Sequence, residues 1–244
     1  MIQPSEPIVC PGLFYGVPAQ DGIILRVRTP GGLLTSMQCQ AVAQLAAQHG
    51  DGYVQITHRA NLQIRAARAV PPATVLSTLQ DAGLAARCPA VDHLRNIMAS
   101  PTAGIDPQAL IDTRPLVAAL DDAIAQHKAF AGLPAKYSVG FDGGEGVSVR
   151  DRRNDLWFVA TAGQPGSDGD RPVFFRLFLH SGAGRELDTG MRLRPEDCVS
   201  LVVKIAQVYL AHVERLHGPA TGKKPHLGHV FAQQGVAWFH EHIG

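Results

Sequence analysis

Charge is scarce in this chain. Asp, Glu, Lys and Arg make up 18% of its 244 residues, against roughly 25% in an average soluble domain. The 22 basic and 21 acidic residues leave a formal net charge of +1. That balance excludes a global basic field for nucleic acid and a solvated, disordered tail protein, though it leaves room for a local cationic patch. Cysteine is sparse as well. Cys10, Cys39, Cys88 and Cys198 include no Cys-x-x-Cys pair, so no local zinc or iron–sulfur site is predicted. No apolar run reaches the ~18 residues of a membrane-spanning helix. Met1 to Pro7 carry neither a basic stretch nor an apolar one, so no secretory signal is read there. These absences predict a cytoplasmic protein, with no membrane and no nucleic acid among its partners and with reduced, structural thiols.

What the chain does have is an ordinary apolar fraction, 45%, over a length sufficient for one large domain or two modest ones. Residues 21–90 read as an alternating α/β unit. Ile23 to Arg28 alternates with a period of two. Thr35 or Ser36 caps a helix to about Gln48, with Val42, Leu45 and Ala46 as its stripe. Tyr53–Thr57 and Asn61–Ala66 read as strands, Thr74–Asp81 as a second helix behind Pro71-Pro72, and Gly83–Cys88 as a last edge strand. The order β-α-β-β-α-β is ferredoxin-like. Residues 91–112 read as irregular. Pro115 to about Phe130 is helical, and strands follow at Tyr137–Phe141, Leu156–Thr161, Val173–Leu179 and Glu186–Leu193. Turns at Gly143-Gly144, Gly163–Asp170 and Gly182–Gly184 separate those strands. Pro195–Leu216 and His226–His242 close the chain as helices. The prediction is an α+β protein: a ferredoxin-like unit over residues 1–92, then an α/β domain over 93–244 with a mixed sheet and long C-terminal helices.

The chemically informative stretch runs from Gly50 to Arg65. With period two, Gln55, Thr57, Arg59, Asn61, Gln63 and Arg65 share one direction, and Arg26 and Arg28 of the first strand can join them. Guanidinium forks among amides suit carboxylates and small oxyanions. Periodicity alone favours a solvated polar sheet face over an anion site. Arg95-Asn96 sits in a connecting loop, and Lys136 opens a strand behind Leu133-Pro134. Eleven histidines include no His-Glu-x-x-His motif, and the pairs His226/His229 and His240/His242 lack a third partner, so no metal site is predicted.

Three of these segments carry a resemblance. Thr57-His58-Arg59-Ala60-Asn61-Leu62-Gln63 resembles the Thr-x-Arg-(Gln/Ala)-x-(Leu/Phe)-Gln signature of the nitrite and sulfite reductase superfamily. Leu94-Arg95-Asn96-Ile97 is similar to that family's Arg-Asn-(Val/Ile) loop. Leu133-Pro134-Ala135-Lys136-Tyr137 resembles its Leu-Pro-x-Lys-(Phe/Tyr) strand. Cys10-Pro11-Gly12-Leu13-Phe14, Arg28-Thr29-Pro30-Gly31-Gly32 and Ala99-Ser100-Pro101-Thr102-Ala103-Gly104-Ile105-Asp106 look most like the precorrin-3B synthase branch.

The resemblance implies a fold of two related halves, each a ferredoxin-like unit followed by a larger α/β unit, with a tetrapyrrole and a 4Fe–4S cluster between them. This chain resembles the first half. The cluster cysteines belong to the other half, so the resemblance implies siroheme or a related tetrapyrrole here and no cluster on this chain's own cysteines. Of the four cations that surround the substrate anion in the siroheme reductases, three fall by motif on Arg59, Arg95 and Lys136, and the fourth falls on Ser138. That substitution weakens electrostatic assistance to anion reduction and is tolerable where the tetrapyrrole is itself the substrate. The implied reaction is oxygen-dependent hydroxylation and lactone formation on precorrin-3A, completed by a cluster-bearing partner chain or by a second copy in a homodimer. The implied tetrapyrrole-binding set is Arg59, Asn61, Gln63, Arg65, Arg95, Asn96 and Lys136, with no catalytic residue assigned. Two further readings stay open: a non-catalytic tetrapyrrole or siroheme carrier, and a siroheme nitrite or sulfite reductase subunit.

Overall fold

The structure, a computed structural model, describes residues 10–165, 171–180, 186–217 and 225–243. Its first sheet holds β1 (Val17–Ala19), β2 (Gly22–Val27), β3 (Gln55–Ile56) and β4 (Leu62–Ala67) in the order β1-β2-β4-β3, every pairing antiparallel. Helix α1 (Ser36–His49) joins β2 to β3, and α2 (Ala73–Asp81) follows β4. A full capping box starts α1: the Thr35 hydroxyl accepts from Gln38 N at 3.2 Å, and the Gln38 amide oxygen accepts from Thr35 N at 2.9 Å. Val42, Leu45 and Ala46 then meet Leu25, Val27 and Ile64 of the sheet in one hydrophobic cluster.

The expected last edge strand at Gly83–Cys88 is absent. The backbone there is satisfied from elsewhere: Leu84 N donates to Leu79 O, the Asp92 carboxylate accepts from Ala86 N, and Gln80 Nε2 donates to Ala86 O and Arg87 O. With its groups already paired, this segment needs no neighbouring strand. The sheet edge beside β2 goes instead to β1, through a hairpin whose Gly22 sits at φ 133°. The expected strand Tyr53–Thr57 contracts to Gln55–Ile56.

The second sheet runs β5 (Ile97–Met98), β6 (Val139–Asp142), β7 (Leu156–Ala162), β8 (Val173–His180) and β9 (Glu186–Leu193) in sequence order. The first two pairings are parallel and the last two antiparallel. β5 lies inside the stretch expected to be irregular. β6 starts later than expected because Tyr137 N closes a turn on Pro134 O and Ser138 N is taken by the Asp155 carboxylate at 2.9 Å. Lys136 therefore sits in the turn before the strand and is exposed. Gly140 faces Trp157, whose ring would lie 2.3 Å from a Cβ, so no larger residue fits at that register. The helix expected to about Phe130 is α3 (Arg114–Gln126) followed by a 3₁₀ turn, Lys128–Gly132. Helices α4 (Cys198–His217) and α5 (Leu227–Ile243) close the fold, and α5 is broken where Gly235 takes φ 83°. Phe141 stacks on Phe158 at 5.2 Å and meets Phe175 edge-on at 6.3 Å in the middle of a second, larger hydrophobic cluster. The expected turn Gly182–Gly184, residues 166–170 of the expected hairpin loop and Lys224 lie outside the described residues.

Side-chain amides join the two sheets. Asn61 Oδ1 accepts from Thr29 N at 3.1 Å, and Asn61 Nδ2 donates to Asn96 Oδ1 at 3.1 Å. Asn96 Nδ2 in turn donates to His93 O and Tyr137 O. Beside this joint, Arg95 forms a forked pair with Asp121 of α3 at 2.7 and 2.8 Å, and its Nη2 also donates to Gly83 O. Burial opposes the Arg95 charge, and the Asp121 hydrogen bonds and charge outweigh it, so its pKa is raised. Asp92 lies below, fully buried, and accepts from Leu13 N and Ala86 N. Burial pushes its carboxyl above the usual range in spite of those bonds.

Two outcomes follow from these buried charges. Asp121→Ala leaves the Arg95 side chain, 6% exposed, without its counter-charge. The loss should be about 3–5 kcal/mol in denaturant unfolding, much of it recovered in an Arg95→Met/Asp121→Leu double variant. Because the Asp92 pKa is raised in the folded state, folding takes up its proton. Its contribution is complete below the ordinary carboxylate value of 3.8 and is lost as pH rises from there through the raised value. Asp92→Asn should lose a hydrogen-bond acceptor at every pH yet gain stability relative to the native chain as pH climbs from about 4 towards neutrality. A pH-independent difference between the two unfolding free energies would remove Asp92 from this role.

Candidate functional site

A cleft of about 700 Å³ opens between the β3–β4 edge of the first sheet and the β5 end of the second. Cross-strand register builds its floor. Arg26 pairs with Gln63, and Gln63 with Gln55, so three polar side chains line up across three strands. Arg26 Nη2 donates to Gln63 Oε1 at 2.6 Å, and Gln63 Nε2 donates to Gln55 Oε1 at 3.2 Å.

The β3–β4 hairpin raises Arg59 over this row. Thr57 N donates to Asn61 O and Ala60 N to Thr57 O, closing a tight loop with Ala60 at φ 55°. Arg59 Nη2 reaches across the cleft to Arg153 O at 3.2 Å. The turn Pro30–Gly32 forms the adjoining wall. Gly32, at φ 73°, brings its backbone so near the hairpin that a Cβ would lie 3.0 Å from that of Ala60. Ile97, Met98, Ala99, Pro101 and Val149 supply an apolar side, and Ile56, 79% exposed, stands at the rim.

The electrostatics of this cleft are one-sided. Arg26, Arg59 and Arg152 line it, and among the described residues no aspartate or glutamate does. Arg26 Nε and Arg59 Nε are both buried without a hydrogen-bond partner. Burial, and after it the neighbouring Arg59 charge, lowers the Arg26 pKa, with Cys10 acting against them. Two partly desolvated guanidinium groups with spare donors and no acid beside them form a receptor for an anionic, hydrogen-bond-accepting ligand.

The residues expected from the sequence divide sharply. Arg59 and Gln63 line the cleft. Asn61 and Asn96 are buried in the amide joint, where both ends of each side chain are engaged. Arg65 points away to Asp21, which it grips at 2.8 and 2.9 Å. Arg95 is held by Asp121, behind the Pro30–Gly32 turn. Lys136 is exposed and outside the cleft, while Ser138, buried, donates from both N and Oγ to Asp155 Oδ2. Of the two first-strand arginines, Arg26 enters the cleft, whereas Arg28 is 1% exposed on its far side. Arg152 was missed. Its signal was the run Arg150-Asp151-Arg152-Arg153, a local basic cluster in a chain with little charge.

The cysteines do not fit an iron–sulfur cluster. Cys10 and Cys198 are buried, Cys198 in the core of the second unit, Cys88 is half-buried and Cys39 is exposed on α1. No three metal-type ligands gather among the described residues. The spare arginine donors, by contrast, fit the carboxylates of a tetrapyrrole.

Comparison with known proteins bears on the family and the fold. Residues 90–244 match the family model of the nitrite and sulphite reductase 4Fe-4S domain, and residues 17–73 match that of the nitrite/sulfite reductase ferredoxin-like half domain. A ferredoxin–nitrite reductase of Leptolyngbya laminosa is 34% identical over 81% of this chain and 40% of its own length. A precorrin-3B synthase of a Sinorhizobium species is 33% identical over 55% of this chain and 28% of its own. Among solved structures, the NirA protein of Mycobacterium tuberculosis superposes with a TM-score of 0.70 at 19% identity, over 90% of this chain and 39% of that one. Dissimilatory sulfite reductase I does so with 0.60 at 11%, over 91% and 69%. At those identities the structures speak for the fold. The chain thus spans about 40% of the length of the first of these relatives. It belongs to the nitrite and sulphite reductase family.

Proposed function

We propose that this chain binds a polycarboxylated tetrapyrrole in the cleft between its two units, residues 1–92 and 93–244, as the tetrapyrrole-holding wall of a cytoplasmic oxidoreductase. One observation carries the reading: Arg26 Nε and Arg59 Nε stand buried and unpaired in a cleft lined by no acid among the described residues. An apolar disc with carboxylates at its edge matches the apolar side formed by Ile97, Met98 and Val149 and the arginines facing it. A bound siroheme would supply an iron centre for electron transfer. Arg26 and Arg59 would hold such a group by its carboxylates, Gln63, itself bonded to Gln55, holds the Arg26 fork, and the Pro30–Gly32 turn forms one wall. The four cysteines are dispersed among the described residues, and the reading assigns any cluster to a second half, as a partner chain or a second copy of this chain.

Within the family, the specific reading is precorrin-3B synthase-like: the tetrapyrrole is substrate, hydroxylated with oxygen and closed to a lactone. Of the cations the family resemblance places around a small anion, only Arg59 lines this cleft. Arg95 is engaged by Asp121, Lys136 stands outside and Ser138 is turned to Asp155. That leaves few charges to converge on nitrite or sulfite and enough to grip a macrocycle. The second reading, siroheme-dependent nitrite reduction, is favoured by the wider match to ferredoxin–nitrite reductase, 81% of the chain against 55%.

Titration of siroheme into the purified protein, followed by its visible spectrum, should give saturable micromolar binding. Arg59→Ala and Arg26→Ala each remove a charge-assisted hydrogen bond of about 1.5–3 kcal/mol, and each should weaken binding roughly tenfold to a hundredfold. Arg65→Ala, outside the cleft, should leave it unchanged. Equal affinity in all three variants would dismiss the cleft. With a cluster-bearing partner present, oxygen uptake on precorrin-3A separates the synthase reading from nitrite reduction and from a carrier.

A further inference from the structure

One arginine of the cleft has no part yet in holding a ligand. Arg152, on the turn between β6 and β7, lines the cleft from the second unit, whereas Arg26 and Arg59 line it from the first. Its neighbours in the basic run are placed differently. Arg150 bonds to Glu186 at 2.6 Å and lies over the Phe178 ring at 4.2 Å, and Arg153 does not line the cleft.

The stem of Arg152 is fixed by the fold. Arg152 N donates to Val149 O at 3.0 Å, and Arg152 O accepts from Trp157 Nε1 at 3.0 Å. Trp157, 3% exposed, is held in turn because its ring packs over Gly140, where no Cβ fits. One residue on, the Arg59 bond to Arg153 O adds a third tie. The Arg152 side chain, by contrast, is half-exposed, and its acid partner Asp151 stands 3.5 Å away at the surface. Such exposed pairs contribute little, so a ligand carboxylate in the cleft displaces Asp151 at small cost.

The three cations therefore differ in what they receive. Arg26 and Arg59 each keep one buried Nε unspent, and two carboxylates satisfy that pair. Arg152 adds nothing to a ligand whose only two acids are already held there. It adds a further hold where the ligand carries more. With the turn fixed in advance, that hold costs side-chain ordering and no backbone ordering.

Resting on the tetrapyrrole reading, we infer that Arg152 is a specificity-determining residue of the cleft: it pairs with a third carboxylate, and so selects macrocycles with acids around the whole rim over those with two acids on one edge.

Fluorescence titration of the full chain with two metal-free porphyrins tests this without iron or an electron donor. Coproporphyrin III carries propionates on all four rings, and mesoporphyrin IX carries two on one edge. The native chain should bind both, coproporphyrin the more tightly. Arg152→Gln should weaken coproporphyrin roughly threefold to tenfold and leave mesoporphyrin unchanged, while Arg152→Lys keeps most of the preference. Arg59→Ala should weaken both. Arg171→Gln, which removes the same charge at an exposed position outside the cleft, should change neither. If the native chain bound neither porphyrin, the tetrapyrrole reading would fall and the role of Arg152 with it. If both bound and Arg59→Ala weakened both, that reading would stand. The role of Arg152 would then be overturned by equal effects of Arg152→Gln on the two ligands, or by a coproporphyrin loss as large in Arg171→Gln.

Discussion

The amide joint between Asn61 and Asn96 is the constraint on which the rest of the structure depends. A buried carboxamide has a donor end and an acceptor end, and leaving either unpaired is costly. Asn61 satisfies one end with Thr29 N, at the close of β2, and the other with Asn96. Asn96 passes the bond on to His93 O and Tyr137 O. Four segments distant in sequence are fixed by two side chains: the β2 exit, the β3–β4 hairpin, the loop before β5 and the approach to β6. Thr29 Oγ1 adds a bond to Ala60 O at 2.6 Å, which holds the hairpin against the Pro30–Gly32 turn. These ties hold the walls of the cleft together, and Arg59 projects into it from a hairpin in which Thr57, Ala60 and Asn61 are tied down around it.

Around that joint the chain distributes its few charges unequally. Arg95 has a forked carboxylate partner, and Asp92 has two backbone donors with arginine charges nearby. Behind the turn Asp121 bonds to Arg95, while Arg28 donates to the His93 carbonyl, and in the cleft there is no carboxylate among the described residues. A chain with 18% charged residues and net charge near zero still produces a strongly cationic hollow, because folding sorts signs that composition averages. Low charge overall sharpens the contrast, since few neighbouring acids are available to neutralise the arginines that line the cleft.

The α+β order was legible because it rests on local signals: capping at Thr35, alternation in Ile23–Val27, Pro71-Pro72 ahead of α2, and four β-rich runs between turns. The edge strand at Gly83–Cys88 misled because strand pairing is a tertiary decision. Asp92 and Gln80 had already satisfied that backbone from positions no local pattern connects. The polar face was half legible. Alternation placed Gln55, Gln63 and Arg59 together, but the turn at Ala60 broke the register, sending Asn61 inward and leaving Arg65 to Asp21. Arg26 was visible on its strand, and only the cross-strand register with Gln63 shows that it faces the same hollow.

A motif residue becomes a ligand-binding residue only where the fold denies it a partner. Arg59 and Arg95 both sit in motifs that the family resemblance assigns to an anion, and from sequence they are equivalent. In the fold Arg95 meets Asp121, one helix away, and gives Nε and Nη2 to the protein, with a carboxylate as its counter-charge. Arg59 meets a backbone carbonyl and keeps a buried N–H unspent. A buried guanidinium N–H calls for an acceptor, and whether that acceptor belongs to the chain or to a ligand follows from what α3 and the Arg152 turn present to it. The same reasoning separates Ser138, where Asp155 takes both donors, from the lysine that the resemblance expects there: a cation at 138 would meet a half-buried carboxylate before it met a substrate. The chemistry open to this member of the family is therefore set by the acids its neighbouring elements carry as much as by the bases its motifs retain.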